Sequence, residues 1–215
     1  MSIQVIPNEL VLATGGRFVG GLGLTMITSV SVDHRSSVDG SLFVPLKRAG
    51  ADGHRHIEEA FRRGAVGALV QRDSGAAAGL QRNYPKKILV EVEDTLAALG
   101  EISRFWCQKL RVAVVVQACS GSVDELGSLV CRIIGQSLNA QHFQGSDDDL
   151  LQLPLFLMGL NAGNRAAVVE VGTGEPERLR CLFELCDPAV VVIDDASFSG
   201  IMPERAAIVS GSDNV

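Results

Sequence analysis

The chain has 215 residues, of which 47% are hydrophobic and 20% charged, and such a composition is typical of a soluble globular protein with one large or two small domains. The formal net charge of −6 argues against binding to a nucleic acid, which requires a broad basic surface. Because the sequence shows neither a secretion signal nor an apolar run of the ~18–20 residues that cross a bilayer, we expect a cytoplasmic protein.

The first half of the chain alternates predicted strands and helices. Short runs rich in Val and Ile predict strands, and apolar residues three and four apart predict helices. The predicted elements are strands at 27–32, 42–46, 66–70 and 88–92, and helices at 56–63 and 95–110. The Gly/Ala-rich run around residue 76 predicts an exposed loop, and a domain boundary is expected near residue 110.

The second half continues in the same rhythm, with long Val-rich runs between the helices. Strands are predicted at 112–116, 167–171 and 189–193, and helices at 125–134 and 150–160. Continuous apolar strands that alternate with helices are typical of a parallel sheet with both faces covered. The sequence therefore predicts an α/β fold class with two domains, at residues 1–110 and 111–215.

Residues 31–70 carry a set of residues at fixed spacing that resembles the N-terminal domain of the Mur ligases, which add amino acids to UDP-MurNAc in cell-wall synthesis. The MurF type, which adds D-alanyl-D-alanine, is the most similar. The pattern there is D-S-R, then P-G-x-L-F-V-A-L-x-G, then D-G-H-x-F, then a helix that ends in G-A. The matching residues are Asp33, Arg35, Gly40, Leu42, Phe43, Val44, Leu46, Asp52, Gly53, His54, Ala60, Gly64 and Ala65. The resemblance implies a small N-terminal α/β domain followed by a Rossmann-like, P-loop-type domain with a parallel sheet.

In the Mur ligases this domain holds the UDP end of the substrate, so the resemblance implies a site for a UDP-like ligand. Arg and Lys would neutralise the phosphates, and Asp and backbone groups would contact hydroxyls or a base edge. The candidate residues are Asp33, His34, Arg35, Lys47, Arg48, Asp52 and His54. His34 replaces a small hydroxyl residue of the family and Arg48 replaces its glycine, and these changes alter or block the pocket.

The same residues also have structural interpretations. Asp33 and Arg35 predict an ion pair that fixes a turn as readily as they predict a ligand contact. A structural turn is also the alternative for the Asp52, Gly53 and His54 motif. His54 and His56 are a potential pair of metal ligands, but no third ligand lies near them in the sequence.

The segment after the first strand of the second domain resembles the phosphate loop of the Mur ligases, T-G-S-x-G-K-T-T, in a degenerate form. That loop cradles ATP with backbone N–H groups, while its Lys and Thr side chains contact phosphate and Mg²⁺. The corresponding residues are Cys119, Ser120, Gly121, Ser122, Val123, Asp124 and Glu125. Val123 stands in the place of the lysine, and two acidic residues stand in the place of the threonines. Because these residues would repel a triphosphate by roughly a few kcal/mol, we expect neither ATP nor Mg²⁺ as a cofactor.

Downstream matches keep the same register and lose further ligands. Glu170 stands where the family places a Mg²⁺ ligand, whereas residues 194–200 lack the histidine of the family's T-N-I-x-x-A-H motif. The chain also ends before the C-terminal domain that brings in the incoming amino acid. The resemblance therefore implies a truncated and degenerate homologue without catalytic residues, a pseudoenzyme of peptidoglycan-related ancestry.

These losses lead to the hypothesis of a non-catalytic scaffold or regulatory subunit that binds a UDP-linked precursor or a protein partner. A sheet that ended with the strand at Ile193 would expose an edge and apolar faces, which favours a homodimer or a complex with another chain. The alternative is an enzyme of a different class that uses acidic residues and Cys119 in the former ATP cleft. The five cysteines contain no C-x-x-C pair, which predicts reduced and mostly packed thiols.

Overall fold

The computed structural model describes residues 3–21, 25–48, 50–119, 126–145, 149–172, 176–193 and 202–210. The chain divides into two compact units, Met1–Ile102 and Ser103–Val215. The division falls within a long helix, Thr95–Leu110, whose end is the boundary expected from the sequence. Each unit contains a mainly parallel five-stranded sheet with helices, so the predicted α/β fold class is confirmed.

Unit 1, which comprises Met1–Ile102, contains seven strands and three helices among its described residues, and helix α4 begins within it. In chain order these are α1 (Pro7–Thr14), β1 (Arg17–Gly20), β2 (Ser29–Ser31), β3 (Ser41–Phe43), β4 (Lys47–Arg48), β5 (Ala51–Asp52), α2 (Ile57–Arg62), β6 (Gly67–Gln71), α3 (Ala77–Asn83), β7 (Ile88–Val92) and α4 (Thr95–Leu110). The main sheet has the order β1-β7-β6-β3-β2. Strands β2, β3, β6 and β7 are parallel, and β1 pairs antiparallel with β7. The four parallel strands therefore follow one another across the sheet in the order in which they occur in the chain.

The sheet of unit 1 is buried on both faces. Ala68 and Val70 of β6 belong to one core cluster together with Phe61 of α2 and Leu80 of α3. Leu69, which points to the opposite face because strand residues alternate, is also fully buried. Burial of each large apolar side chain contributes about 1.5–3 kcal/mol, and burial on both faces explains the continuous apolar runs in the sequence.

Two glycines of the family pattern occupy backbone positions that other residues would strain. Gly40 has φ +84° and Gly64 has φ +115°. A Cβ atom on Gly64 would lie 2.8 Å from the backbone nitrogen of Asp39, and one on Gly40 would lie 2.3 Å from Oγ1 of Thr28. Left-handed backbone and close approach of the chain both favour glycine, so part of the pattern reflects local geometry rather than ligand contact.

The Gly/Ala-rich run around residue 76 is not wholly a loop, so this prediction is wrong in part. Gly75 has φ +66°, and helix α3 begins two residues later at Ala77. Alanine has the highest helix propensity, and Leu80 anchors the helix to the core. Elements α1 and β1 were not predicted at all, although Pro7 at the first helical turn and the Glu9 carboxylate that accepts from the Ile6 N–H mark the start of α1.

Unit 2, which comprises Ser103–Val215, contains a five-stranded sheet in which every described pairing is parallel. Its further elements are β8 (Ala113–Cys119), α5 (Leu126–Gly135), β9 (Ala140–Gln144), α6 (Asp149–Met158), β10 (Ala166–Gly172), α7 (Pro176–Cys186), β11 (Val190–Ile193) and β12 (Ala207–Ser210). The strand order is β12-β11-β8-β10-β9. Strand β8 is central, and the chain turns to opposite sides of it, which is the topological switch point of an open α/β sheet.

The strand that ends at Ile193 is not an edge strand, so the predicted edge is wrong. Strand β12 pairs with β11 from Val190 opposite Ala207 to Ile193 opposite Ser210. The sequence alone did not predict β12, because the strand has only four residues. The described edges of the sheet are β12 and β9. None of the described helices combines the length and the apolar character needed to cross a membrane.

Candidate functional site

The candidate ligand residues of unit 1 follow the carboxyl ends of its parallel strands. Asp33 comes after β2, Lys47 and Asp52 come after β3, and the loop after β6 begins at Arg72. Carboxyl ends of parallel strands meet at the same edge of a sheet, and ligands of open α/β sheets bind at that edge. The structure therefore brings these candidate residues to one edge of the sheet, and their role in binding a ligand stays a prediction.

Asp33 and Arg35 form a turn that is held by their own side chains. Asp33 caps the 3₁₀ turn His34–Ser36, and its Oδ1 accepts a hydrogen bond of 2.9 Å from the backbone N–H of Arg35. The Arg35 guanidinium donates to both carboxylate oxygens, at 2.7 Å for the shortest contact. These hydrogen bonds, the side-chain bond first, lower the pKa of Asp33 to about 2. Since the Arg35 side chain is 74% exposed, solvent screens the pair and it contributes little to stability, so an anionic ligand can replace the carboxylate.

Asp52 and His54 form a second turn of the same kind, in which the histidine is buried. Oδ1 of Asp52 accepts from the backbone N–H of His54 at 2.9 Å and contacts its Nδ1 at 2.6 Å. The pKa of Asp52 is lowered, chiefly by the backbone hydrogen bond from His54. Nε2 of His54 accepts from the backbone N–H of Gln71 at 2.9 Å, so the hydrogen of the ring is on Nδ1. The His54 side chain is only 5% exposed, and both of its nitrogens are occupied in joining this turn to β6.

Lys47 and Arg48 lie in the β4–β5 hairpin, where Lys47 pairs with Asp52 and Arg48 with Ala51. The Lys47 ammonium donates to Oδ1 of Asp73 at 2.7 Å, and both side chains are more than one-third exposed. The hairpin therefore connects the Asp52–His54 turn to the loop after β6. The side chain of Arg48 lies outside the described residues, so its effect on the pocket stays a prediction.

His34 and His56 stack on each other and join the two turns. Their ring centroids are 4.2 Å apart and the ring planes differ by 8°. His34 occupies the small hydroxyl position of the family pattern, and His56 occupies the Phe position of D-G-H-x-F, so both departures from the pattern meet at one contact. From the sequence, His56 was considered only as a second metal ligand beside His54. The signal that could have revealed the stack is that His34 and His56 both replace a residue of the family pattern. Among the described residues no group of three or more potential ligands is placed to hold a metal ion.

Glu170, the match to a family Mg²⁺ ligand, is a buried carboxylate on β10. Its side chain is 1% exposed, and Oε2 lies 3.0 Å from Nε2 of His142 on β9. Oε1 has no hydrogen-bond partner within the described part of the chain. Mg²⁺ is usually held by one or two carboxylates together with water and substrate phosphates, and Glu170 is one such carboxylate. The expectation that the chain binds no Mg²⁺ stays a prediction.

The residues of the degenerate phosphate loop lie outside the part of the chain that the structure describes. These are Ser120, Gly121, Ser122, Val123 and Asp124, together with the side chain of Cys119. The backbone of Cys119 ends strand β8 opposite Gly172, so the loop begins at the carboxyl end of the central strand. The sequence-based expectations for these residues stay predictions.

The described cysteines differ in exposure, and all four are free thiols. Burial raises the pKa of the Cys107 thiol to about 12, and it also raises the pKa of Cys186. A raised pKa disfavours the thiolate, which is the reactive form. Cys107 and Cys186 are therefore core residues and are unsuited to nucleophilic chemistry.

Comparison with known proteins agrees with the family pattern, although no family model matches the chain. The UDP-N-acetylmuramoyl-tripeptide--D-alanyl-D-alanine ligase of Bacillus subtilis is 26% identical over 197 residues, which are 87% of this chain and 42% of that ligase. The same enzyme of Treponema pallidum is 26% identical over 203 residues, 90% of this chain and 43% of that ligase. The chain thus spans about two-fifths of the length of the curated relatives it matches.

Solved structures show the same fold. A crystal structure of MurF from Acinetobacter baumannii superposes with a TM-score of 0.74 and 21% identity, covering 89% of this chain and 40% of that one. MurF ligase from Thermotoga maritima in complex with ADP gives a TM-score of 0.65 and 18% identity, covering 86% of this chain and 46% of that one. Over nearly all of its length, this chain is therefore similar in sequence to MurF-type Mur ligases and shares their fold.

Proposed function

We propose that this protein is a non-catalytic Mur-ligase-like binding protein that holds a UDP-linked precursor at the carboxyl edge of the sheet in unit 1. The observation that carries the proposal is the composition of the phosphate-loop segment. There Val123 replaces the lysine, and Asp124 and Glu125 replace the threonines of the family motif. A ligase needs ATP, Mg²⁺ and an acceptor nucleophile held in line.

Electrostatics make this segment unfavourable for a triphosphate. Relative to the family motif, it loses one positive charge and gains two negative charges. Like charges a few ångströms apart near a protein surface repel by about 4 kcal/mol, which corresponds to a loss of roughly three orders of magnitude in affinity. Glu170 adds a further buried carboxylate on β10, the strand next to β8, where it is hydrogen-bonded to His142 rather than to an acidic partner.

The edge of unit 1 supports binding of a diphosphate. Arg35 and Lys47 are exposed cations whose partners, Asp33 and Asp73, are themselves exposed. Such surface pairs contribute little stability, so a phosphate can take the place of a carboxylate at small cost and form charge-assisted, bidentate hydrogen bonds with Arg35. The buried His54 and its partner Asp52 then support the hairpin that carries Lys47.

A protein partner is the other binding mode within this proposal, and it is favoured by strand β12. Ile208 and Val209 are about half exposed on this edge strand, and Ala207–Ser210 contains neither charge nor proline. Natural edge strands usually carry such protection against pairing with another chain. Pairing of β12 with a second copy or with another protein would cover these side chains.

Calorimetric titration of the full chain tests the proposal. We expect UDP and UDP-N-acetylmuramoyl-tripeptide to bind, and we expect Arg35→Gln and Lys47→Gln each to weaken binding by about tenfold. ATP with Mg²⁺ should not bind at concentrations up to about 1 mM. The matched control Arg55→Gln changes an exposed arginine of unit 1 that is outside the candidate set, and it should leave affinity unchanged.

Two outcomes separate the modes of binding. Absence of UDP binding together with a stable dimer in light scattering would reject the nucleotide ligand and favour binding to a protein partner. Tight binding of ATP to the wild-type chain would overturn the non-catalytic proposal. A triple variant Val123→Lys, Asp124→Thr, Glu125→Thr should raise ATP affinity if the electrostatic argument is right.

A second candidate function, an enzyme of another class, is favoured by one observation. Glu170 is buried with one oxygen on His142 and the other without a described partner, and a buried carboxylate next to an imidazole can transfer protons. If turnover of any substrate is detected, Glu170→Gln should abolish it. Glu101→Gln, a change on helix α4 far from this pair in sequence, is the control and should leave turnover unaltered.

A further inference from the structure

A cavity of about 580 Å³ lies within unit 2 between the end of α7 and residues 202–205. Asp187 lines it and precedes strand β11, and residues 202–205 precede strand β12. The cavity is therefore at the amino edge of the parallel sheet. The phosphate-loop segment follows the carboxyl end of β8, so the two sites are at opposite edges of the sheet.

The lining of this cavity combines an apolar floor with charged walls. Phe183 is almost fully buried, and Met202 packs against the core of the unit. The lining also includes three arginines and three acidic residues, among them Arg180, Arg205 and Asp187. Small-molecule sites commonly enclose about 300–1,000 Å³, with an apolar surface and a few polar groups that orient the ligand.

Two of the arginines have no ion-pair partner within the described residues. Arg180 and Arg205 both line the cavity, and neither forms a salt bridge there, although acidic side chains line the same space. This differs from the edge of unit 1, where Arg35 and Lys47 each contact a carboxylate. A guanidinium group presents a planar set of N–H donors that matches a carboxylate, so these arginines are available to an anionic group of a ligand.

Asp187 occupies a backbone position that favours glycine. It has φ +45°, and its N–H donates to the carbonyl oxygen of Phe183 at 2.9 Å to close the last turn of α7. A left-handed residue after a helix is most often Gly or Asn, and Asp is among the few other residues that adopt this conformation readily. The turn places Asp187 in the wall of the cavity.

We infer that this cavity binds a small zwitterion, a molecule that carries one carboxylate and one ammonium group on an apolar body. Arg180 and Arg205 receive the carboxylate, Asp187 receives the ammonium group, and Phe183 and Met202 contact the apolar body. Equal numbers of arginine and acidic side chains around the cavity favour a ligand with no net charge over an anion or a cation. The inference concerns a site outside the proposed nucleotide site, and it does not depend on the proposed function.

Titration of the full chain with L-leucine, N-acetyl-L-leucine and L-leucinamide tests this inference. L-Leucine carries both charges, whereas each of the other two probes lacks one of them. We expect saturable binding of L-leucine, and we expect both single-charge probes to bind at least about tenfold more weakly, because each loses a charge-assisted contact. Absence of saturable L-leucine binding at about 10 mM, or equal binding of all three probes, would overturn the inference.

Variants assign the two charges to opposite walls. Arg180→Gln should weaken L-leucine about tenfold but leave L-leucinamide unchanged, because the amide has no carboxylate. Asp187→Asn should weaken L-leucine by a similar factor and leave N-acetyl-L-leucine unchanged. Asn tolerates the left-handed conformation, so this variant removes charge without adding strain.

Asp187→Gly separates the effect of the backbone conformation on stability from the effect of the carboxylate on binding. It should raise the melting temperature because glycine adopts positive φ without a steric penalty, and it should weaken L-leucine as much as Asp187→Asn does. A melting temperature that rises with affinity unchanged would show that Asp187 has no part in binding, and the proposed cationic half of the site would be rejected.

Discussion

Two turns of unit 1 share one local design and differ in burial. In each, an Asp caps a 3₁₀ turn and binds both the backbone N–H and the side chain of the residue two positions later, Arg35 in the first and His54 in the second. The Arg35 side chain is 74% exposed, and the His54 side chain is 5% exposed. A hydrogen bond in water is exchanged for another at little cost, whereas an unsatisfied buried group costs about 1–3 kcal/mol. The same motif is therefore replaceable at one turn and structural at the other.

The largest expected effect on stability comes from the turn whose histidine is buried. His54→Ala would leave the N–H of Gln71 without its acceptor and would open a void beside β6, so we expect a loss of about 2–4 kcal/mol in the free energy of unfolding. Chemical denaturation measures it. The matched change at the exposed turn, Arg35→Ala, should cost far less because solvent screens the pair, and equal losses in the two variants would contradict the difference between the turns.

The stacked histidines that join the turns should give a smaller effect. Replacement of His34 and His56 by Ala, singly and together, forms a double-mutant cycle whose coupling energy reports the ring contact. Aromatic pairs contribute about 0.5–1.5 kcal/mol, and we expect a value in that range. His56→Phe should retain most of it, since it keeps a ring, and a coupling near zero would mean that the stack does not join the turns.

Low pH should remove the contribution of the Asp33 carboxylate to the stability of the fold. Its pKa in the folded protein is lowered to about 2 from the ordinary value of 3.8, so its stabilising effect is present above pH 4 and is lost as the pH falls through 2. Because Asp33 is exposed, the effect should stay below about 1 kcal/mol. The difference in melting temperature between wild type and Asp33→Asn should shrink over this interval, whereas a constant difference would refute the assignment.

The smallest effect is expected at Lys47. Its pair with Asp73 is exposed on both sides, so Lys47→Ala should change the free energy of unfolding by less than about 0.5 kcal/mol. Addition of 0.5 M salt should reduce even this difference, because exposed pairs are screened. A larger loss in the free energy of unfolding would mean that Lys47, like His54, stabilises the fold.

The sequence predicted those parts of the fold that repeat along the chain. The alternation of Val-rich strands and helices is a short-range signal, and so are the two Asp-capped turns, whose partners are two residues apart. Strand β12 and helix α3 escaped prediction for local reasons: β12 is short, and Gly75 and Gly79 on either side of the alanines favour a loop. The family pattern supplied the carboxyl edge of unit 1 as the candidate site.

The features that escaped prediction depend on contacts between distant segments. His34 and His56 are separated by the hairpin β4–β5, and only the folded chain brings their rings to 4.2 Å. The cavity in unit 2 likewise needs Asp187 and residues 202–205 to become neighbours, and they do so because β11 pairs with β12. The spacing of residues within a single helix or strand cannot predict contacts between segments that are distant in sequence.

Strand order has a consequence for the way in which the two sheets assemble. In unit 1, the parallel strands β2, β3, β6 and β7 are neighbours in the order of synthesis, whereas β1 pairs only after β7 has been made, with Arg17 opposite Glu91. In unit 2, Ala113 of β8 must wait for Ala166 of β10, its register partner. Because contacts distant in sequence form slowly and leave strands open to other chains, we expect the four parallel strands of unit 1 to pair during translation, and we expect β1 and β8 to be the strands that wait longest for a partner.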